Sequence, residues 1–190
     1  MQKVLKFVGV FAFGIAIGAL SMNFLPGLLN HAKNANQPYA GQNKRVISSL
    51  SQKDIVELEK GAGWGLAKPA EFNGYPGPAH VLEFADKLNI TDDQRAAIET
   101  SFEIMNARAR ELGTALIEAE EALDSVFQMQ KATPELLTQR LKASEEIRAA
   151  LRAVHLNAHL EITPFLSDEQ KAQYAALRGY GDSHSGHEGH

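Results

Sequence analysis

His155 and His159 stand four residues apart. On an α-helix this spacing points both imidazoles from one face, where neutral ring nitrogens can share a divalent metal ion. The pair lies on the row Arg148, Arg152, His155, His159 beside an apolar seam. Taken alone, it reads first as a solvated polar row. A second group of imidazoles, His184, His187 and His190, closes the chain in a Ser/Gly/Asp/Glu context. That composition predicts a disordered tail, either a loose divalent-metal trap or a solubilising extension. Catalytic arrangements are missing: there is no H-E-x-x-H, no G-x-S-x-G and no phosphate loop. The acid pairs Glu120-Glu121 and Glu145-Glu146 are expected on solvated faces. An enzyme is not expected.

Two long helices must position the histidines. Ile98, Phe102, Met105, Ala109, Leu112, Leu116, Ala119, Leu123 and Val126 alternate steps of four and three, a coiled-coil-type seam. The helix should run from Asp92 to about Gln130. Lys131, Ala132 and Thr133 make a turn, with Thr133 capping and Pro134 at the first helical position. The second helix carries Leu137, Leu141, Ser144, Ile147, Leu151, Val154, Ala158 and Ile162, and Thr163-Pro164 breaks it. With the turn centred near Ala132, His159 lies level with about residue 105, and Glu103 is ~3 Å away along the axis. A second fold-back near Asn89 brings His80 level with about residue 100. His155, His159, Glu103 and His80 are therefore the candidate ligand set for Zn, Ni, Co or Cu.

Helix starts are marked by repetition. Ile90-Thr91-Asp92-Asp93-Gln94 recurs in kind as Leu166-Ser167-Asp168-Glu169-Gln170, and Leu50-Ser51-Gln52-Lys53-Asp54 is a weaker copy. Each is a capping box, in which a hydroxyl accepts from a first-turn N–H and the third residue on reaches back. Two such L-[ST]-x-x-Q-like boxes around a long helical stretch resemble the Spy/CpxP-like periplasmic helical superfamily over roughly residues 80 to 178. That group includes ATP-independent chaperones, zinc-resistance-associated proteins and nickel/cobalt sensors. The resemblance implies an antiparallel, cradle-shaped dimer. From the sensors it implies an acid about twelve residues past the first cap, filled here by Glu103, and an H-x-x-x-[M/H] pair, filled by His155 and His159. His80 matches only with a one-residue shift. A further first-helix histidine is absent, since that position is Phe84.

The remaining chain frames this domain. Lys3 and Lys6 precede the apolar run Phe7 to Leu20, a charged and then a hydrophobic export region. Residues 1–25 are expected to stay as an uncleaved signal anchor, with cleavage after Ser21 the alternative. The lysines put the bulk of the chain in the periplasm, single-pass in a bacterial inner membrane. Residues 26–78 read as a polar stalk, a short helix from Ser51 to Lys60, and a Gly/Pro-rich strap from Gly61 to Pro78 whose aromatics dock on the helices. A helix from His80 to Leu88 opens the domain 79–179, a last short helix starts at Ser167, and 180–190 is the tail. The fold class is all-α, a long antiparallel hairpin with shorter flanking helices. A small core and a second seam interrupted by Ser144 favour a homodimer. The 190-residue chain has a net charge of −4 and no cysteine, which argues against nucleic acid and excludes disulfides and thiolate sites. The leading expectation is a membrane-anchored heavy-metal-binding sensor or resistance protein, signalling to a membrane-bound anti-sigma factor or sensor kinase. The alternative is an ATP-independent Spy/CpxP-like chaperone.

Overall fold

A computed structural model describes residues 37–180. The proposed anchor, most of the stalk and the tail histidines His184, His187 and His190 lie outside the described residues. From Gln42 onward the chain forms one compact unit. Its helices are α1 (Gln52–Glu59), α2 (Lys68–Glu71), α3 (Pro78–Glu83), α4 (Asp92–Gln128), α5 (Pro134–Ile162) and α6 (Asp168–Leu177). Among the described residues there is no strand, only one isolated bridge between Ile47 and Leu50. No helix among them is long and apolar enough to cross a membrane.

The three capping boxes form as their residue types dictate. Ser51, Thr91 and Ser167 each accept from the third backbone N–H of their helix, and Asp54, Gln94 and Gln170 each reach back to the cap N–H. Thr133 caps α5 without a reciprocal partner, and Pro134 follows it. Where α4 ends, Gln130 takes a left-handed conformation (φ 56°) that reverses the chain. The expected helix from His80 to Leu88 is shorter than its pattern. It stops at Glu83, and the chain then turns through Asn89, which has φ 50°. Asparagine tolerates that conformation better than most residues.

Packing α4 against α5 builds the hairpin, and two apolar cores hold it. The mid-hairpin core contains Ile47, Leu50, Leu58, Ala109, Leu112, Leu116 and Leu151. The open-end core contains Val81, Leu88, Ile98, Ile162, Leu166 and Tyr174. Ser144 is buried within the second seam, and its hydroxyl donates to the Leu141 carbonyl of its own helix. Glu120 is a correction to the sequence reading: it is buried, not solvated. Its two carboxylate oxygens accept from Arg148 at 2.6 Å and from Ser49 at 2.7 Å. That pairing compensates the cost of burying the charge.

Gly113 lets α1 approach α4. A Cβ there would collide with the Leu58 carbonyl oxygen and lie 2.8 Å from the carbonyl carbon. Gly113→Ala gains about 1 kcal/mol of helix propensity, but forcing backbone apart costs roughly 1–3 kcal/mol. The collision is with main chain, so overpacking should win. The urea midpoint should fall by the equivalent of up to about 2 kcal/mol. A raised midpoint would contradict the close approach.

Candidate functional site

The site occupies the stretch between the two cores. On α5, Leu151 belongs to the mid-hairpin core and Ile162 to the open-end core, with His155 and His159 between them. On α4, Phe102 and Met105 fall between Ile98 and Ala109 in the same way. These four side chains line a cavity of 610 Å³. The strap forms its other wall, contributing Trp64, Lys68, Glu71, Phe72 and Gly77.

The strap is pinned at both ends. Asn106 of α4 donates to the carbonyls of Lys60 (3.0 Å) and Gly61 (3.3 Å). Gly61 has φ 64° and no room for a Cβ, which would sit 2.8 Å from the Asn106 carbonyl oxygen. Trp64 then packs against the mid-hairpin core, its indole N–H donating to Asp54 at 2.9 Å and its ring carrying the Arg148 guanidinium. This is the docking expected of the strap aromatics, whereas Phe72 and Tyr75 remain exposed. At the far end Gly77 lies against His159. A Cβ there would meet ring Cε1 at 2.8 Å and Nε2 at 2.9 Å.

Both histidines of the α5 pair are buried, at 3 % and 7 % exposure, so the solvated polar row is not what forms. The strap explains the difference, because it covers the face that hairpin geometry alone leaves open. His159 Nδ1 lies 2.7 Å from the Tyr75 carbonyl oxygen. A carbonyl only accepts, so Nδ1 carries a proton, and in the neutral ring the lone pair is then on Nε2. His155 Nε2 is buried with no hydrogen-bond partner.

A carboxylate lines the same cavity and lies beside His159. Glu71 is 9 % exposed at its side chain. Its Oε1 accepts from the Tyr174 hydroxyl (2.6 Å), Arg178 Nε (2.9 Å) and the Tyr180 hydroxyl (3.2 Å). Its Oε2 is turned to His159, 3.8 Å from Nδ1. The Tyr174 hydroxyl also accepts from the Gly77 N–H at 3.2 Å. Burial and the bond to Glu71 push the Tyr174 phenol far above its usual range, so it remains a neutral donor.

The sequence candidates separate accordingly. His155, His159 and His80 line one cavity, while Glu103 is exposed and not among the lining residues. His80 Nδ1 pairs with Glu83 Oε2 at 3.0 Å, and its side chain is 40 % exposed. Among the described residues, no three histidine or acidic side chains are already gathered closely enough to hold a metal ion. Glu71, Tyr174, Arg178 and Tyr180 were not legible as site residues. The strap has no periodicity to fix the direction of Glu71. The only signal was an acid within a Gly/Pro-rich stretch.

The model of the LTXXQ motif family matches residues 79–178, more than half of the chain. The chain belongs to that family, which is related to the Spy/CpxP-like periplasmic proteins. The matched region begins at the N-terminal end of α3 and ends just past α6, so it leaves out the strap. No curated protein and no solved structure is significantly similar to the chain.

Burial, and secondarily the neighbouring His159, holds the His155 imidazole below its ordinary pKa. The unfolded chain therefore takes up this proton at a higher pH than the folded chain does. Stability tied to His155 is intact above about pH 6.5 and is lost as pH falls below it, until His155 protonates within the fold. Urea midpoints should drop between about pH 7.5 and 5.5, and His155→Gln should flatten the drop. An unchanged drop in the variant would contradict this burial.

Proposed function

We propose that this chain is a membrane-anchored protein of the bacterial periplasm that responds to a divalent transition metal, with His155 and His159 as its capturing ligands. The observation that carries the reading is the pair of available ring nitrogens. His155 Nε2 is buried without a partner, and in the neutral His159 ring the lone pair falls on Nε2, because Nδ1 is committed to Tyr75. Leaving a buried polar atom unpaired costs about 1–3 kcal/mol, a cost that ligand binding at that atom would offset. An imidazole oriented by a carbonyl on its other nitrogen is the usual state of a metal-ligating histidine. Zn, Ni, Co and Cu suit imidazole and carboxylate donors. Bound there, the ion would join the hairpin to the strap. That junction is the part of the fold through which a membrane partner, an anti-sigma factor or a sensor kinase, would be informed.

Assembly as a homodimer belongs to the same proposal. Leu141 on the second seam is 43 % exposed, and Phe127 and Met129 beside the hairpin turn are also exposed. The same surface supports a second reading, an ATP-independent chaperone of the Spy/CpxP kind. Ile104 and Leu160, farther from the turn, are exposed as well, and unfolded clients bind exposed apolar surface.

Calorimetric titration of the whole chain with zinc or nickel separates the two. His155→Ala/His159→Ala should weaken tight binding by more than the roughly 10–100-fold that loss of an outer hydrogen-bond partner costs. Deleting His184 to His190 should remove only weak sites. Binding should weaken as pH falls, since neutral imidazoles are required, and because burial holds His155 below its ordinary pKa its share of the loss should come below about pH 6.5. A folded double variant that binds zinc as tightly as the parent would give first place to the chaperone reading. Client protection should then be lost when Ile104 and Leu160 become charged.

A further inference from the structure

We infer that Glu71, from the strap, is the carboxylate that completes the metal site, and that the bound ion fastens the strap to α5. The inference rests on the proposed His155/His159 site and adds a ligand and a moving part to it.

Three observations converge on Glu71. Its hydrogen bonds are divided unequally: the Tyr174, Arg178 and Tyr180 donors all fall on Oε1. Oε2 accepts none of them; it lies 3.8 Å from His159 Nδ1, and Glu71 lines the same cavity as His155 and His159. Next, the space beside Gly77 is shared. The point a Cβ would occupy there is 2.9 Å from His159 Nε2 and 3.4 Å from Glu71 Oε2. His159 and Glu71 therefore both pack closely against the Gly77 backbone, where a larger residue would force them apart. Finally, Oε1 is held as a ligating carboxylate usually is, by hydrogen bonds on the oxygen that does not bind the metal. Glu103, the acid suggested by sequence spacing, is exposed and borders no part of the cavity.

The consequence is mechanical. The three donors to Glu71 come from α6 and the two residues that follow its end region, while Glu71 itself closes α2 in the strap. Without metal, the strap's far end is held by Glu71 Oε1, by the Tyr75 carbonyl on His159 and by the Gly77 N–H on Tyr174. Ligation through Oε2 adds a bond from the strap to α5 without removing any of these. Metal therefore stiffens residues 70–77 and leaves the hairpin cores as they are. The chain's one tryptophan, Trp64, sits in the same strap and reports on it.

The test uses the whole chain and cobalt(II), whose visible spectrum reports its ligands. Glu71→Gln keeps the shape and the Oε1 acceptor but loses the carboxylate charge. It should change the cobalt spectrum and weaken cobalt binding by about 10-fold or more, while Glu103→Gln changes neither. Hydrogen exchange of the unmodified protein supplies a measurement that needs no variant. Amides of residues 70–77 should slow on adding zinc, and those of the α4 and α5 cores should not. Three results would overturn the inference: an unchanged spectrum in Glu71→Gln, an effect of Glu103→Gln in its place, or unaltered strap exchange with zinc bound. Any of them would leave the histidine pair standing, because its own test is the loss of binding in His155→Ala/His159→Ala.

Discussion

The side-chain amides of Gln94 and Gln170 bond to each other in both directions at 3.0 Å. Each amide also serves its own helix, its oxygen accepting from the cap N–H of Thr91 or Ser167 at 2.9 Å. Each nitrogen reaches one backbone carbonyl of the opposite segment, Gln94 to Phe165 and Gln170 to Leu88. The two helix starts are thereby tied to each other at the open end of the hairpin. A hairpin joined only at its turn is free to splay at the other end, and this pair closes it. The orientation of α6 follows, and with it the approach of Tyr174 and Arg178 to Glu71. A change at either glutamine would strip a cap and leave its partner's amide short of bonds, so the two positions should behave as a unit rather than additively.

Between the two cores the structure places polar chemistry where a simple hairpin would place leucine. His155 and His159 interrupt the buried face of α5 between Leu151 and Ile162. Apolar residues would pack there without leaving an unpaired nitrogen. Membership of the LTXXQ motif family accounts for the hairpin and its caps across residues 79–178. It does not account for Glu71 or Gly77, which lie before the matched region. The functional reading therefore rests on how the strap meets the hairpin.

What was legible in the sequence was local. The boxes at Thr91 and Ser167, Pro134 at the start of α5 and the steps from Ile98 to Val126 each reflect bonds or contacts made within one helix or along one seam. The level of His159 against the region of Met105 followed from the length of the turn. Burial was not legible where it depends on a segment without periodicity. The face bearing His155 and His159 looks solvated until the strap is laid over it. Glu120 looks solvated until Arg148 and Ser49 are brought to it. Glu103 has the spacing of a ligand but is exposed and does not line the cavity, whereas Glu71 has no spacing to recommend it and lines the cavity with the histidines.

The central claim is that His155 and His159 are metal ligands through their Nε2 atoms. Long-range proton–nitrogen NMR of the histidine rings, recorded on the whole chain with and without one equivalent of zinc, tests it residue by residue. The account predicts that Nε2 of both residues moves to the metal-bound range while His159 Nδ1 stays protonated on Tyr75, and that His184, His187 and His190 are unperturbed. Shifts confined to those three tail histidines, with His155 and His159 unchanged, would contradict it.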